Sequence, residues 1–322
     1  AFHLLAVSRF DPELARDQAR ILFSRQLESG QLADVLYADG KSVFRFTKPP
    51  VFAWAIAEAD RRAPDADFLA YCRPHLEKNL AWWERERSDG RLFFYRVSPM
   101  ESGWDNSPRF DGLNRIGWCY AVDLNGYMLL FYDAMVYLSG RLGEPAQADG
   151  YRAKRARLAE AVEGRLFDER RGYYCDYNRV LRRFTARLSP ASFLPLFAGA
   201  ASPGHAEAMA RLARDEMAFY PGLPTIAYRD PAYRPQRYWR GPTWLNTAYF
   251  AIRGLCGYGR RALALELAET VLGWCARNTD AIYEYYDSRG GKGLGAPDFG
   301  WSAAFVIELI LLKYERGEGE GA

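Results

Sequence analysis

The sequence predicts an all-α fold in which an inner ring of apolar helices is wrapped by an outer ring of amphipathic ones. Three observations lead there. Helical segments that are apolar all round alternate along the chain with segments apolar on one face only. Four long loops rich in aromatic and acidic residues, 87–118, 167–189, 218–241 and 278–298, each follow an amphipathic segment and precede an apolar one, which gathers them at one end of a helical toroid. No internal repeat of about 34 residues is present, so a short-period solenoid is excluded.

Taken in order, residues 1–9 read as the remnant of a helix. Asp11-Pro12-Glu13 starts another, with Asp as N-cap and Pro in the first turn, running to about Glu28 before Gly30. Residues 31–47 are a loop. Helices follow over roughly 51–62 and 65–86. In the next, Leu124, Met128, Phe131, Met135 and Leu138 recur at helical spacing, and a second row of Tyr127, Leu130, Ala134 and Tyr137 is also apolar, so this helix is covered on two sides. The segment 146–166 is amphipathic, 190–199 apolar, 203–217 amphipathic behind Ser202-Pro203, 242–256 apolar, 259–276 amphipathic and 299–314 apolar. The inner helices are therefore expected near 49–62, 121–139, 190–199, 242–256 and 299–314. The tail from Glu315, rich in Gly and Glu, is expected to fray.

Composition narrows the function. The 322 residues are 49% hydrophobic and 15% aromatic, with 9 Trp and 21 Tyr, side chains suited to stacking on carbohydrate with a polar handle. A net charge of +3 without a basic stripe gives no footprint for nucleic acid. The five Cys are widely spaced with no C-x-x-C, and the three His form no metal-binding pattern, so neither a disulfide framework nor a metal site is expected. No apolar run reaches the ~20 residues of a membrane span and no signal peptide is visible, so a cytoplasmic location is expected unless a segment has been removed upstream.

The stretch that carries chemistry is Glu101-Ser102-Gly103-Trp104-Asp105-Asn106-Ser107-Pro108-Arg109. Gly103 permits a tight path and Pro108 bars Ser107 from helical geometry, so it is a loop. A loop carboxylate beside an indole wall keeps its proton near neutral pH, as a general acid must; the alternative is a capping loop. The run Gly290-Gly291-Lys292-Gly293-Leu294-Gly295 lacks the Ser or Thr of a phosphate-binding loop and reads as a flexible turn.

Three loops together resemble the inverting α-glycosidases of the (α/α)6-barrel type, with glycoside hydrolase family 63 most similar, its mannosylglycerate and glucosylglycerate hydrolases in particular, and trehalase more distant. They are the stretch above, Tyr238-Trp239-Arg240-Gly241-Pro242-Thr243-Trp244-Leu245-Asn246-Thr247, and Tyr283-Glu284-Tyr285-Tyr286-Asp287 with Asp298-Phe299-Gly300-Trp301-Ser302 after it. The resemblance covers nearly the whole chain. It implies Asp105 as the acid that protonates the glycosidic oxygen and Glu284 as the base that activates water. It also implies a substrate site drawing on Glu101, Trp104, Arg109, Tyr238, Trp239, Arg240, Gly241, Trp244, Tyr285 and Trp301. Glu101 is expected to orient the acid's loop or raise the acid's pKa, the tyrosines around Glu284 to hydrogen-bond its carboxylate, and Lys48, Arg109 and Arg240 to supply cations for an anionic aglycone. No cofactor or metal is implied. The partner is a small carbohydrate, with no nucleic acid, no membrane and no oligomeric state assigned.

Family members carry a Trp-Asp turn just upstream of the stretch that Ala1-Phe2-His3-Leu4-Leu5 resembles, and about eleven helices can be read where the barrel has twelve. The expectation is a single glycosidase domain over 1–316, lacking its first helix, with a frayed tail over 317–322. Terpene-type cyclases would show Asp-rich clusters and lanthionine-type cyclases Cys/His zinc ligands, and neither occurs. The rival from another class is a carbohydrate-binding toroid without catalysis.

Overall fold

The computed structural model describes residues 1–315; the expected frayed tail lies outside the described residues. The chain divides into two compact units. The first comprises Ala1–Asp105, Gly112–Arg165 and Tyr177–Arg183, and the second Asn106–Asp111, Leu166–Asp176 and the chain from Phe184 on.

The first unit holds α1 (Phe2–Phe10), α2 (Pro12–Phe23), α3 (Phe52–Arg62), α4 (Ala66–Glu86), α5 (Val122–Arg141) and nearly all of α6 (Pro145–Leu166). Asp11 caps α2 by accepting from the Leu14 N–H at 3.0 Å, with Pro12 opening the helix, and Asp65 caps α4 through the Phe68 N–H at 2.9 Å. α2 ends at Phe23, five residues before the expected stop at Glu28; Ser24 to Glu28 turn back so that Gln26 can bond Gly30 and His75. α5 is buried along both of its apolar rows from Val122 to Ser139, except at the half-buried Tyr137, and packs on α3 and α4. Two buried amide and carboxylate side chains fix the loop before it. Asn125 bonds both the N–H and C=O of Phe93, and Asp123 accepts from the Tyr95 hydroxyl.

In the second unit, α7 (Leu194–Phe197), α8 (Pro203–Arg214), α9 (Leu245–Gly257), α10 (Arg261–Arg277) and α11 (Gly300–Tyr314) pack with α9 at the centre, against α7, α10 and α11. α9 is buried from Leu245 to Ile252, whereas α10 buries one face only. The expected helix 190–199 is instead a 3-10 turn, Pro190–Phe193, followed by the four residues of α7. Pro195, in the interior of that span, lacks the N–H a continuous helix would donate to Ala191, and Gly199 ends it in the left-handed region. α11 is apolar all round in sequence yet leaves Ile310 exposed.

The long loops contain short antiparallel pairings that no helical pattern indicates. They include Val35–Leu36 with Ser42–Val43, Cys119–Tyr120 with Tyr177–Asn178, Phe167–Asp168 with Tyr173–Tyr174, and Tyr285–Tyr286 with Gly293–Leu294. The last is closed by the glycine run, and it positions Glu284.

Candidate active site

Asp105 belongs to the first unit and Glu284 to the second. Around Asp105, a 3-10 turn (Pro99–Ser102) is capped by Ser98 and ends at Gly103 with φ +74°. That left-handed step turns the chain so that Trp104 is buried and Asp105 half-buried. Burial pushes the Asp105 carboxyl above its ordinary value, Lys48 opposes this, and the like charge of Asp34 adds to it. Lys48 is itself fixed, donating to the Met100 carbonyl at 2.9 Å and lying 3.3 Å from Asp34.

Glu101 is placed to brace the acid's loop, one of the two roles expected of it. It is fully buried, pairs with Arg87 at 2.9 Å, and accepts from the N–H groups of Arg96 at 2.6 Å and Val97 at 3.0 Å. Its carboxylate braces the loop, and the like charge acting on Asp105 comes from Asp34.

Around Glu284, the N–H of Glu284 bonds the Ala296 carbonyl at 2.9 Å, the Ala296 N–H returns to Glu284 Oε2 at 3.2 Å, and the Ser302 hydroxyl donates to the Glu284 carbonyl at 3.0 Å. Gly295 is required beside it. Its φ is +76°, and a Cβ there would lie 2.5 Å from Glu284 Oε2. Two of the tyrosine hydroxyls are engaged elsewhere: Tyr283 donates to Asp280 at 2.6 Å, and the Tyr286 hydroxyl receives the Tyr283 N–H at 3.0 Å. The backbone N–H of Ala296 holds the Glu284 carboxylate. Tyr285 stands next to it, its hydroxyl pKa raised by burial and then by the Glu284 charge.

The second motif is brought against the third. Trp239 stacks on Trp244 at 3.7 Å between centroids, and Trp244 stacks on Tyr285 at 4.9 Å. Both indoles are 1% exposed, so they form the back of a wall. Tyr238, Tyr285 and Trp301, only partly covered, make its accessible rim, with Tyr238 and Trp301 5.2 and 5.8 Å from Trp244. Tyr238 holds the rare positive φ of +49°, and its carbonyl accepts from the Trp244 indole at 3.1 Å. Gly241 donates to Thr225, and a Cβ on it would sit 2.2 Å from the Arg234 carbonyl oxygen.

Neither arginine expected to be a spare cation is one. Arg109 is 1% exposed and grips Asp176 with two bonds of 3.0 and 2.7 Å. Arg240 forks onto Asp111 and also donates to the Asn106 carbonyl at 3.0 Å; the pair lowers the Asp111 pKa and raises that of Arg240. Asn106 completes this link by accepting the Trp239 N–H at 2.9 Å. Sequence reasoning missed Asp34, Asp111, Asp176 and Ser302. Ser302 was within a quoted motif, whereas the partners of the arginines are remote or lack a local signature. Among the described residues, no cluster of His, Cys, Asp or Glu is placed to hold a metal ion, and no helix is long and apolar enough to cross a membrane.

Known proteins resemble this chain in sequence and fold. A curated mannosylglycerate hydrolase of Thermus thermophilus is 38% identical over 81% of this chain and 76% of its own. A solved structure, a GH63 mannosylglycerate hydrolase from Thermus thermophilus in complex with Tris and D-glycerate, is 26% identical with a TM-score of 0.84, covering 98% of this chain and 92% of that one. The periplasmic trehalase of Pseudomonas aeruginosa stands as a further relative, 26% identical over 85% of this chain and 61% of its own. The fold class is that of the (α/α)6-barrel enzymes among these relatives. The family model described as the mannosylglycerate hydrolase MGH1-like glycoside hydrolase domain matches residues 1–302, and the chain belongs to that family of glycoside hydrolases.

Proposed function

We propose that this glycoside hydrolase cleaves a small α-linked mannoside or glucoside of glycerate, with inversion. Asp105 is the general acid and Glu284 the general base. The observation that carries the assignment of the acid is the environment of Asp105. Burial and the Asp34 charge favour its protonated form, the form that can give a proton to the glycosidic oxygen. Glu284 is oriented by the Ala296 N–H and the Gly295 turn, which leaves its carboxylate available to take a proton from water. An inverting mechanism needs only these two carboxyl groups, roughly 6.5–9.5 Å apart with a water between the base and the sugar. No covalent intermediate forms: water attacks the anomeric carbon as the protonated aglycone leaves, and the base keeps the proton from water.

Three things support the substrate. Relatives at 38% and 26% identity are named mannosylglycerate hydrolases, and one is solved with D-glycerate. The aromatic rim of Tyr238, Tyr285 and Trp301 suits a pyranose face. All three expected cations pair with carboxylates, Lys48 with Asp34, and Lys48 is the most exposed of them, so it is the one proposed to meet the glycerate carboxylate. The test is hydrolysis of mannosylglycerate, glucosylglycerate and neutral α-glycosides by the wild type, Asp105→Asn and Glu284→Gln. Each substitution should lower kcat by at least about 10²-fold while sugar binding persists. Full activity in either variant overturns the assignment, and cleavage of neutral glycosides alone overturns the substrate.

A further inference from the structure

The first unit carries a cavity of roughly 750 Å³ that the hydrolytic reading does not use: Asp105, Trp104 and Lys48 are absent from its lining. It opens between the end of α4, the turn after it, the Tyr177–Arg182 segment and one face of α6. Its lining is strongly basic. Arg91, Lys154, Arg157, Arg165, Arg179 and Arg182 face two carboxylates, Glu84 and Glu160. Glu84 is already taken by Lys154, at 2.8 and 2.9 Å, and by the Tyr132 hydroxyl at 2.8 Å. Arg179 approaches Asp89 at 3.7 Å. Among the described residues, Arg91, Arg157, Arg165 and Arg182 form no ion pair with a carboxylate. Four unneutralised guanidinium groups on one concavity repel one another unless an anion joins them.

The floor is shaped to admit one. Arg157, Ala161, Gly164 and Arg165 fall on one stripe of α6, with the two small residues between the two cations. Glycine inside a helix costs about 1 kcal/mol relative to alanine. Here packing does not demand it, since a Cβ on Gly164 would meet nothing within 4 Å. Its effect is to widen the cavity. The walls also offer flat surfaces: Arg165 lies 5.4 Å from the Tyr177 ring centre, and Arg179 lies 4.2 Å from that of Phe94 and 5.7 Å from that of Tyr120. Arginine planes and tyrosine rings stack on heteroaromatic bases, while free guanidinium forks bind phosphate.

We propose that this cavity is a binding site for a nucleoside diphosphate, with its phosphates on Arg157, Arg165 and Arg182 and its base against the Tyr120, Tyr177 and Arg179 surface. The volume lies in the range of small-molecule sites, and a diphosphate supplies the charge that the cations lack. The site stands independently of the hydrolytic reading. The experiment is titration calorimetry of the full chain with ADP, pyrophosphate and adenosine, repeated with Arg157→Ala/Arg165→Ala and with Gly164→Trp. Both arginines and Gly164 are exposed on α6, and circular dichroism verifies that the variants are folded. The expected result is saturable ADP binding, tighter than pyrophosphate, weakened by salt, and at least about tenfold weaker in both variants. Hydrolysis of the glycoside should be unchanged in them. Absence of saturable ADP binding to the wild type, equal binding by the variants, ADP no tighter than pyrophosphate, or displacement of ADP by the glycoside each overturns the proposal.

Discussion

Removing the Arg109 guanidinium separates a bracing role from a substrate-binding one. Arg109 and Asp176 are each 1% exposed at the side chain, and two parallel bonds join them. In that setting Arg109→Ala leaves the Asp176 carboxylate buried without its cation. Breaking a buried pair from one side costs about 3–5 kcal/mol. Unfolding entropy near 2.1 cal/mol/K per residue gives about 0.7 kcal/mol per degree for a chain of this length, so Tm should fall by about 4–7 °C. Replacing both partners with apolar residues, as in Arg109→Met/Asp176→Leu, removes the stranded charge as well and should recover much of the loss. The assay is thermal and urea unfolding followed by tryptophan fluorescence, with glycoside hydrolysis measured below the transition. Loss of less than about 1 kcal/mol in Arg109→Ala, accompanied by a raised KM, would refute the argument and return Arg109 to the substrate.

Two further predictions follow from the carboxyl groups. Gly295→Ala should lower kcat by at least about tenfold with KM little changed, because a Cβ 2.5 Å from Glu284 Oε2 must displace the carboxylate proposed as base; the left-handed backbone itself costs about 1–2 kcal/mol, readable as a lower urea midpoint, and unchanged kcat would contradict that role for Glu284. Asp105→Asn should stabilise the protein in a pH-dependent way. The folded-state pKa is raised, so between the unfolded carboxylate value, about 3.9, and the folded one the fold keeps a proton that the unfolded chain releases. Stability therefore declines as pH rises through that window, and the wild type carries the full cost above it. The variant's Tm should exceed that of the wild type at pH 7, with the gain vanishing near pH 3.5; a gain independent of pH, or a loss at pH 7, contradicts the raised pKa.

Much of the helical skeleton was legible because its signals are local. α3 and α4 lie within a residue or so of the expected spans, since Asp65 caps and the apolar rows of α5 are read from neighbours on one helix. The failures share a cause. The 190–199 segment is apolar enough for a helix, but the interior Pro195 broke it, a signal present in the sequence and outweighed there by hydrophobicity. The Cys119–Tyr120 pairing joins residues 59 and 57 positions from their partners in Asn178 and Tyr177, and two-residue strands have no period to detect. In the site, the motifs located the loops that carry Asp105 and Glu284, but not which side chains face outward. Arg109 looked free because Asp176 is remote in sequence, and the two roles open to Glu101 could not be separated because its three donors, Arg87 and the Arg96 and Val97 amides, converge only after the loop folds. Trp239 and Trp244, assigned to the substrate site by the resemblance, stack on each other as its buried back.

The central claim is direct attack of water with Asp105 as acid and Glu284 as base, and the anomer released first reports on it. Proton NMR recorded within the first moments of α-mannosylglycerate or α-glucosylglycerate hydrolysis, before mutarotation, should show the β-anomer of the sugar. Initial release of the α-anomer would contradict the account, because retention requires a covalent glycosyl-enzyme and a carboxylate acting as nucleophile.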